Sequence, residues 1–407
     1  MKIKDLFSEA IAALLSNKIR SSLTVLGIVI GIASVIAMIS IGNGASGSIQ
    51  SSIQSLGSNL LVVTPSAARV IGAGASAGRG SAQSLTTADA TAIANQVSNV
   101  TAVAPEVISR QQVVAGANNT NTIIDGVTAE YTSVRNVAVA DGSFFTDAQA
   151  QSLARVAVLG PTTASDLFTD GSEPVGQTII INGMQFTVIG VTVPKGGNGF
   201  NNTDDRVYIP LQEAQLFMTG NQYVSDINIE AANAGAMTQV QNDVTGLLLQ
   251  LHHISNPANA DFSIINQADI LSSASSITTT LTFLLAGIAG ISLLVGGIGI
   301  MNMMLTTVTE RTREIGLRKA IGAKKKDIST QFLMESILLT FVGGVIGIIL
   351  GSGIALAVNI TGFLHPIISI SSILLAFGIS ALIGIIFGYY PARRAANLNP
   401  IEALRYE

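Results

Sequence analysis

Few side chains in this sequence could do chemistry, and none stands in a catalytic spacing. The imidazoles are His252, His253 and His365, none of them in a metal-ligand spacing such as H-E-x-x-H. Cysteine is absent, which removes thiolate ligands and disulfides. Asp204 and Asp205, like the other carboxylates, sit in polar, loop-like stretches without a partner base and read as solvated surface. The run 42–47, Gly-Asn-Gly-Ala-Ser-Gly, matches G-x-G-x-x-G, but that pattern cradles a pyrophosphate only after a strand and before a crossover helix. Here it follows a long apolar run, so it reads as a flexible exit from a bilayer. No G-x-x-x-x-G-K-[ST] occurs in the 407 residues, and any ATP is expected to be hydrolysed elsewhere. The expectation is therefore no catalytic residue, no metal and no cofactor in this chain, and no nucleic-acid partner.

The elements around these residues belong to a membrane. Apolar residues make up 48% of the chain and charged ones 11%, against about a quarter charged in soluble domains. Uncharged runs at 23–41, 277–308, 337–360 and 367–390 each reach the roughly 18 residues that make a span candidate. Residues 20–46, 277–308, 335–360 and 367–390 are the four expected spans, and the lipid bilayer is a partner. Between the first two lies a stretch of ordinary soluble composition, 47–276, long enough to bury a core. The fold class is thus a multi-pass α-helical membrane protein, one span plus three, with a large α+β extracytoplasmic domain inserted between helices 1 and 2.

Orientation follows the Lys/Arg of short loops. Lys2, Lys4, Lys18 and Arg20 precede the first span; seven basic residues from Arg311 to Lys326 lie between the second and third; Arg393, Arg394 and Arg405 follow the fourth. These are 14 of the 21 basic residues, which places both termini and the 309–330 segment in the cytoplasm and the large domain outside. Residues 1–19 carry Leu6, Phe7, Ala10, Ile11, Leu14 and Leu15 on one helical face and predict an interfacial amphipathic helix rather than a cleaved signal peptide. Residues 391–407 form a cytoplasmic tail.

Two helical stripes continue beyond the membrane: Ile49, Ile53, Leu56 and Leu60 after the first span, and Ile270, Ala274, Ile277 and Leu281 before the second. They predict stalks continuous with those spans. Inside the domain, strands are expected at 60–64, 100–103, 107–114, 122–127, 155–159, 207–209 and 227–229, with helices at 86–97 and 234–251. Asn182-Gly183 marks a two-residue hairpin within 178–193. The portion near 123–211 reads as an inserted lobe, and the Gly/Ala/Ser-rich stretch 66–84 as a loop.

Glycines recur at four-residue spacing at Gly27 and Gly31, at Gly343, Gly347 and Gly351, and at Gly384 and Gly388. Any single pair is also what ordinary membrane-helix composition would give; the triple reads as a packing face. Ionisable groups are nearly absent from the spans, Glu335 being the main exception, which argues against ion-coupled transport through the chain. The 310–321 stretch could form a short helix, with Ile315, Leu317 and Ile321 available for burial and Gly322 ending it. On physics alone, a positive-inside loop and a protein-docking element fit it equally.

A resemblance shifts that balance. The run 310–328 (ERTREIGLRKAIGAKKKDI), the ending 391–405 (PARRAANLNPIEALR) and the opening 17–31 (NKIRSSLTVLGIVIG) resemble the MacB/FtsX-like ABC transporter permeases. That likeness implies a homodimer with two copies of a separate ABC ATPase carrying the ATP and Mg. It makes Glu310, Arg311, Arg313, Glu314, Gly316, Arg318, Lys319, Ile321 and Gly322 the ATPase-coupling segment, and it implies a membrane-fusion-type adaptor on the outer domain. The implied function is export of peptides, toxins or amphiphilic drugs by transmitted motion. The alternative is an FtsX-like regulator of an outer enzyme with no transported substrate. A membrane-bound hydrolase is the third reading, and the sequence shows no nucleophile-base or metal constellation for it.

Overall fold

The computed structural model describes residues 18–55, 57–66, 83–196, 202–360 and 366–404. The amphipathic helix expected at 1–19, Leu56 of the first stalk, most of the stretch 66–84 and Arg405 lie outside the described residues. Helices are α1 (Lys18–Ser55), α2 (Thr87–Gln96), α3 (Met237–Leu251), α4 (Gln267–Glu310), α5 (Thr312–Ala320), α6 (Lys325–Ile360), α7 (Ile370–Ala396) and α8 (Pro400–Leu404), with shorter helical turns between strands. Two compact units form, residues 50–273 and the remainder.

In the membrane unit, α1, α4, α6 and α7 are long and apolar enough to cross a bilayer. Their 38, 44, 36 and 27 residues all exceed the roughly 20 that a span requires. The surplus of α1 and α4 carries the expected stalk stripes, and there Ile49, Ile270 and Ile277 are exposed while Ile53 and Ala274 are half-buried.

Close approach between these helices is made by small residues. A Cβ built on Gly27 would lie 3.1 Å from Gly296 Cα of α4, and one on Gly31 would enter the side chain of Leu293. On α6, Gly343, Gly347 and Gly351 face Ile28, Ile32 and Ala33 of α1, at 3.2, 2.9 and 2.8 Å from an added Cβ. Gly384 and Gly388 of α7 abut the hydroxyls of Thr340 and Ser336. Polar side chains add ties across the same seam: Ser336 Oγ donates to Gly384 O at 3.1 Å and Ser380 Oγ to Thr340 O at 2.7 Å. Between helices in hydrocarbon, such packing and hydrogen bonds replace the hydrophobic effect as the source of association.

The 50–273 unit is built on strands β1 (Leu60–Pro65), β2 (Val100–Ala115), β3 (Asn118–Val127), β4 (Val139–Gly142), β5 (Val156–Leu159), β6 (Thr178–Ile181), β7 (Met184–Thr192), β8 (Arg206–Pro210), β9 (Asp226–Ala231) and β10 (Phe262–Asn266). Their order is β10-β1-β9-β2-β3-β8-β5-β7-β4, with β6 pairing β2 and β7. The Asn182-Gly183 turn has positive φ at both residues, 49° and 79°, as a type I′ turn requires. Thr86 caps α2 through a capping box with Asp89.

Two expectations are corrected here, on the strands around Pro105 and on Asp204. The strands expected at 100–103 and 107–114 are one strand running through Pro105. Pro105 is paired only toward β9, because β3 joins β2 from Glu106 onward, so its missing N–H can face away from the ladder. Strands β3 to β8, which cover the 123–211 portion expected as an inserted lobe, continue the sheet of the flanking parts. β2 pairs with β9 up to Glu106 and with β3 beyond it, so one sheet continues through both halves, and one apolar cluster includes Leu61 and Ile93 with Ile179 and Phe186. Asp204 is buried, not solvated: its carboxylate accepts from the N–H groups of Lys195 (2.8 Å) and Gly196 (2.9 Å).

Candidate coupling site

The α5 segment begins at a break. Arg311, between α4 and α5, leaves helical geometry with φ −101° and ψ 16°, and its guanidinium reaches Glu335 of α6 at 3.4 Å. Glu335, the ionisable group expected inside a span, is thus a buried ion-pair partner about three turns into α6, and the Arg311 cation offsets part of the cost of its burial. Thr312, Ile315 and Gly316 are the buried face of α5. Gly316 lies against α8, where an added Cβ would be 2.8 Å from that of Ala403.

The far end of α5 is tied down on several sides. Arg318 pairs with Glu314 one turn earlier at 2.7 Å and donates to Gln331 of α6 at 2.7 Å. Lys319 Nζ donates to the main-chain oxygens of Ala396, at 2.9 Å, and Leu398. Burial, and then the nearby charge of Lys325, lower the pKa of Lys319. Gly322 ends the helix with φ 103°: Gly322 N–H bonds Lys319 O at 3.2 Å and Ala323 N–H bonds Arg318 O at 3.0 Å. That pair of bonds is a Schellman motif, and its left-handed residue has no steric cost only as glycine.

Of the three apolar residues that the sequence offers for burial at this segment, the chain itself buries Ile315. Leu317 and Ile321 are 56% and 80% exposed. Glu310 and Arg313 are exposed beside them. The arrangement is a short helix whose inner face and C-terminal end are fixed to α6, α7 and α8, and whose outer face presents two apolar side chains among charges.

A second set of polar residues was not expected from sequence. In the 50–273 unit, Glu106 of β2, Asp125 of β3, Arg206 of β8 and Asn228 of β9 meet inside the fold. Arg206 lies 2.6 Å from Asp125 and 3.8 Å from Glu106, which also accepts from Tyr131 Oη at 3.2 Å and from Asn228 at 2.8 Å. Burial, and then the Glu106 charge, push Asp125 up to about 7 against the opposing Arg206. Their positions in sequence carry no local signal; only the pairing of β2 with β3 and β9, and of β3 with β8, brings them together.

The stalk bases are also held by side chains. Gln267, at the start of α4, donates to the oxygens of Ile53 (2.6 Å) and Gly57 (2.9 Å) and accepts from Leu60 N–H at 3.0 Å. Lys195 Nζ donates to Ser55 O, the last residue of α1, at 3.0 Å and to Arg135 O at 2.7 Å. Burial, and then the charge of Arg135, lower Lys195 to about 8.

A family model described as MacB-like periplasmic core domain matches residues 21–247, and one described as FtsX-like permease C-terminal matches residues 286–400. The macrolide export ATP-binding/permease protein MacB of Bdellovibrio bacteriovorus is 44% identical over 395 residues, covering 97% of this chain and 60% of that protein. MacB of Azoarcus sp. is 42% identical over 400 residues, covering 98% and 59%. The chain therefore spans about three fifths of the length of these curated relatives. Among solved structures, the periplasmic region of MacB from Actinobacillus actinomycetemcomitans covers 56% of this chain and 97% of that one, at 22% identity and a TM-score of 0.46. With a periplasmic core model matched over more than half of its residues and an FtsX-like permease model following it, the chain belongs to the MacB/FtsX-like family of ABC transporter permeases.

Proposed function

We propose that this chain is the permease of a MacB-like exporter. It receives ATP-driven motion at α5 from a separate cytoplasmic ABC ATPase, present in two copies with its ATP and Mg, and passes that motion to the 50–273 domain on the other side of the membrane. The observation that carries the reading is the α5 segment itself. Its anchored inner face and its exposed Leu317 and Ile321 make a lever with a docking surface. A force applied there is delivered to α6 and α7 rather than dissipated in a loop.

The surrounding features support the same reading. Fourteen of the 21 basic residues lie on the side assigned to the cytoplasm. The glycine-lined contacts suit helices that shift as rigid units. The exposed stripes Ile49 and Ile270 with Ile277 suit a second copy in a homodimer. An adaptor of the membrane-fusion type would sit on the outer domain, and the cargo class is peptides, toxins or amphiphilic drugs. The match over 21–247 to a MacB-like domain favours export; the match over 286–400 to an FtsX-like domain fits a regulator equally well.

Deleting residues 313–319 tests the proposal in cells carrying the partner ATPase. The expected result is loss of ATP-dependent clearance of a macrolide while the chain is still inserted in the membrane. Retained clearance contradicts the mechanism, and ATP-linked function without clearance of any cargo favours the regulator.

A further inference from the structure

The 50–273 unit contains a cavity of about 520 Å³ beside the start of β9. That is within the range of small-molecule sites, roughly 300–1,000 Å³. Its lining mixes apolar residues, Pro65, Val107 and Ile265, with polar ones, among them Thr64, Tyr223 and Ser263. Asp226 is the charged group in it.

Asp226 is an expensive residue for the fold. It stands directly opposite Glu106 in the β2–β9 ladder, a like-charge pair that destabilises a sheet. It is half-buried, yet its carboxylate forms no hydrogen bond and no ion pair with the described residues. Its neighbours are instead occupied with one another. Ser225 Oγ accepts from Ile108 N–H at 2.9 Å, and Asn221 Oδ1 accepts from Tyr223 N–H at 3.1 Å. The pocket wall is thus locally braced, and Asp226 is the acceptor left open to it. Among the described residues, the large side chains Ile265 and Tyr223 are also left 40% and 38% exposed.

We propose that this cavity binds an organic ammonium, a small molecule whose apolar body lies on the exposed Ile265 and Tyr223 side chains and whose protonated amine meets the Asp226 carboxylate. The amine supplies a direct ion-pair partner, where the fold offers Asp226 only the longer-range charge of Arg135 against Glu106 and Asp125. The Tyr223 ring at the cavity wall offers the cation a π face as well. A neutral analogue of the same shape keeps the apolar contact and loses both polar terms. The site stands on the geometry of this one unit and does not depend on the coupling role of α5.

The test is a fluorescence titration of the full chain in lipid nanodiscs, with empty nanodiscs subtracted. Two probes are compared: dansylcadaverine, an aromatic body bearing a primary ammonium, and its N-acetylated neutral form. A charge-assisted hydrogen bond predicts that the ammonium binds about tenfold more tightly to the native chain at about pH 8, and that Asp226→Asn abolishes the preference. The preference also shrinks toward about pH 6. Burial and the charges of Glu106 and Asp125, opposed by Arg135, place Asp226 at about 7, so it is largely protonated there while the amine keeps its charge. Equal binding of the two probes by the native chain overturns the proposal without reference to any variant. So does absence of saturable binding, or an unchanged preference in Asp226→Asn.

Discussion

Lys319 holds α5 to the end of α7 by donating from Nζ to the main-chain oxygen of Ala396 at 2.9 Å, with Leu398 O as a second acceptor. Ala396 is the last residue of α7, so this ammonium caps the C-terminal carbonyls of one helix from the side of another. Movement of α5 is therefore movement of α7. Replacing Lys319 by Met keeps the length of the side chain and removes the cap, at a cost of about 1 kcal/mol. The expected result is faster amide exchange over 397–404 with α6 unchanged, measured by hydrogen exchange of the chain in nanodiscs. Equal protection in both chains would show that the cap carries no load.

The glycine face of α6 makes a sharper prediction, because two of its glycines differ in surroundings. An added Cβ at Gly351 would press on the backbone of Ala33, whereas at Gly353 it meets nothing within 4 Å. Gly351→Ala is expected to destabilise the membrane unit by about 1–3 kcal/mol through overpacking. Gly353→Ala is expected to be neutral or slightly stabilising. Thermal unfolding of the two variants in the same detergent checks the contrast.

Gln267 links residues on both stalk bases through Ile53 O, Gly57 O and Leu60 N–H. Gln267→Leu leaves three main-chain groups to find other partners, and each buried one left unpaired costs about 1–3 kcal/mol. Exchange of the Leu60 amide is expected to rise at least tenfold, consistent with that loss. No change at Leu60 would mean that water replaces the amide without penalty.

The buried cluster predicts a pH effect with a definite sign. Asp125 is raised from 3.8 to about 7 by burial and Glu106, so between those values the folded chain holds a proton that the unfolded chain has released. Its contribution to stability is fully present at low pH and is lost as pH rises toward 7. Arg206 opposes that trend by pairing with Asp125. Arg206→Met is thus expected to destabilise the domain by about 3–5 kcal/mol above neutrality and markedly less near pH 5. Melting temperatures across that range, compared with the native chain, decide it; a pH-independent difference would remove electrostatics as the cause.

These sites differ in how far the chain itself announces them. Hydropathy reads the four spans because a bilayer requires length and absence of charge, both local properties. Asn182-Gly183 and Gly322 are legible for a similar reason: each meets a backbone demand within two residues. The cluster is illegible because Arg206 and Asp125 are 81 positions apart and meet only through the β3–β8 pairing. Asp204 misled because its polar neighbours looked solvated, while the acceptor role that buries it comes from N–H groups at 195 and 196. Ile315, Leu317 and Ile321 read alike as available for burial, because a short helix does not announce which apolar residue packs within the chain and which faces outward; only the packing of α5 separates Ile315 from the other two.

ATP turnover by the partner ATPase, with and without this chain reconstituted in lipid, tests the central claim most directly, with Glu314 and Arg318 each reversed in charge. The two residues pair at 2.7 Å, and Arg318 also bridges to α6 through Gln331. Stimulation by the native chain that is lost on either reversal is the predicted result. An ATPase that neither binds nor responds to the native chain would contradict the account.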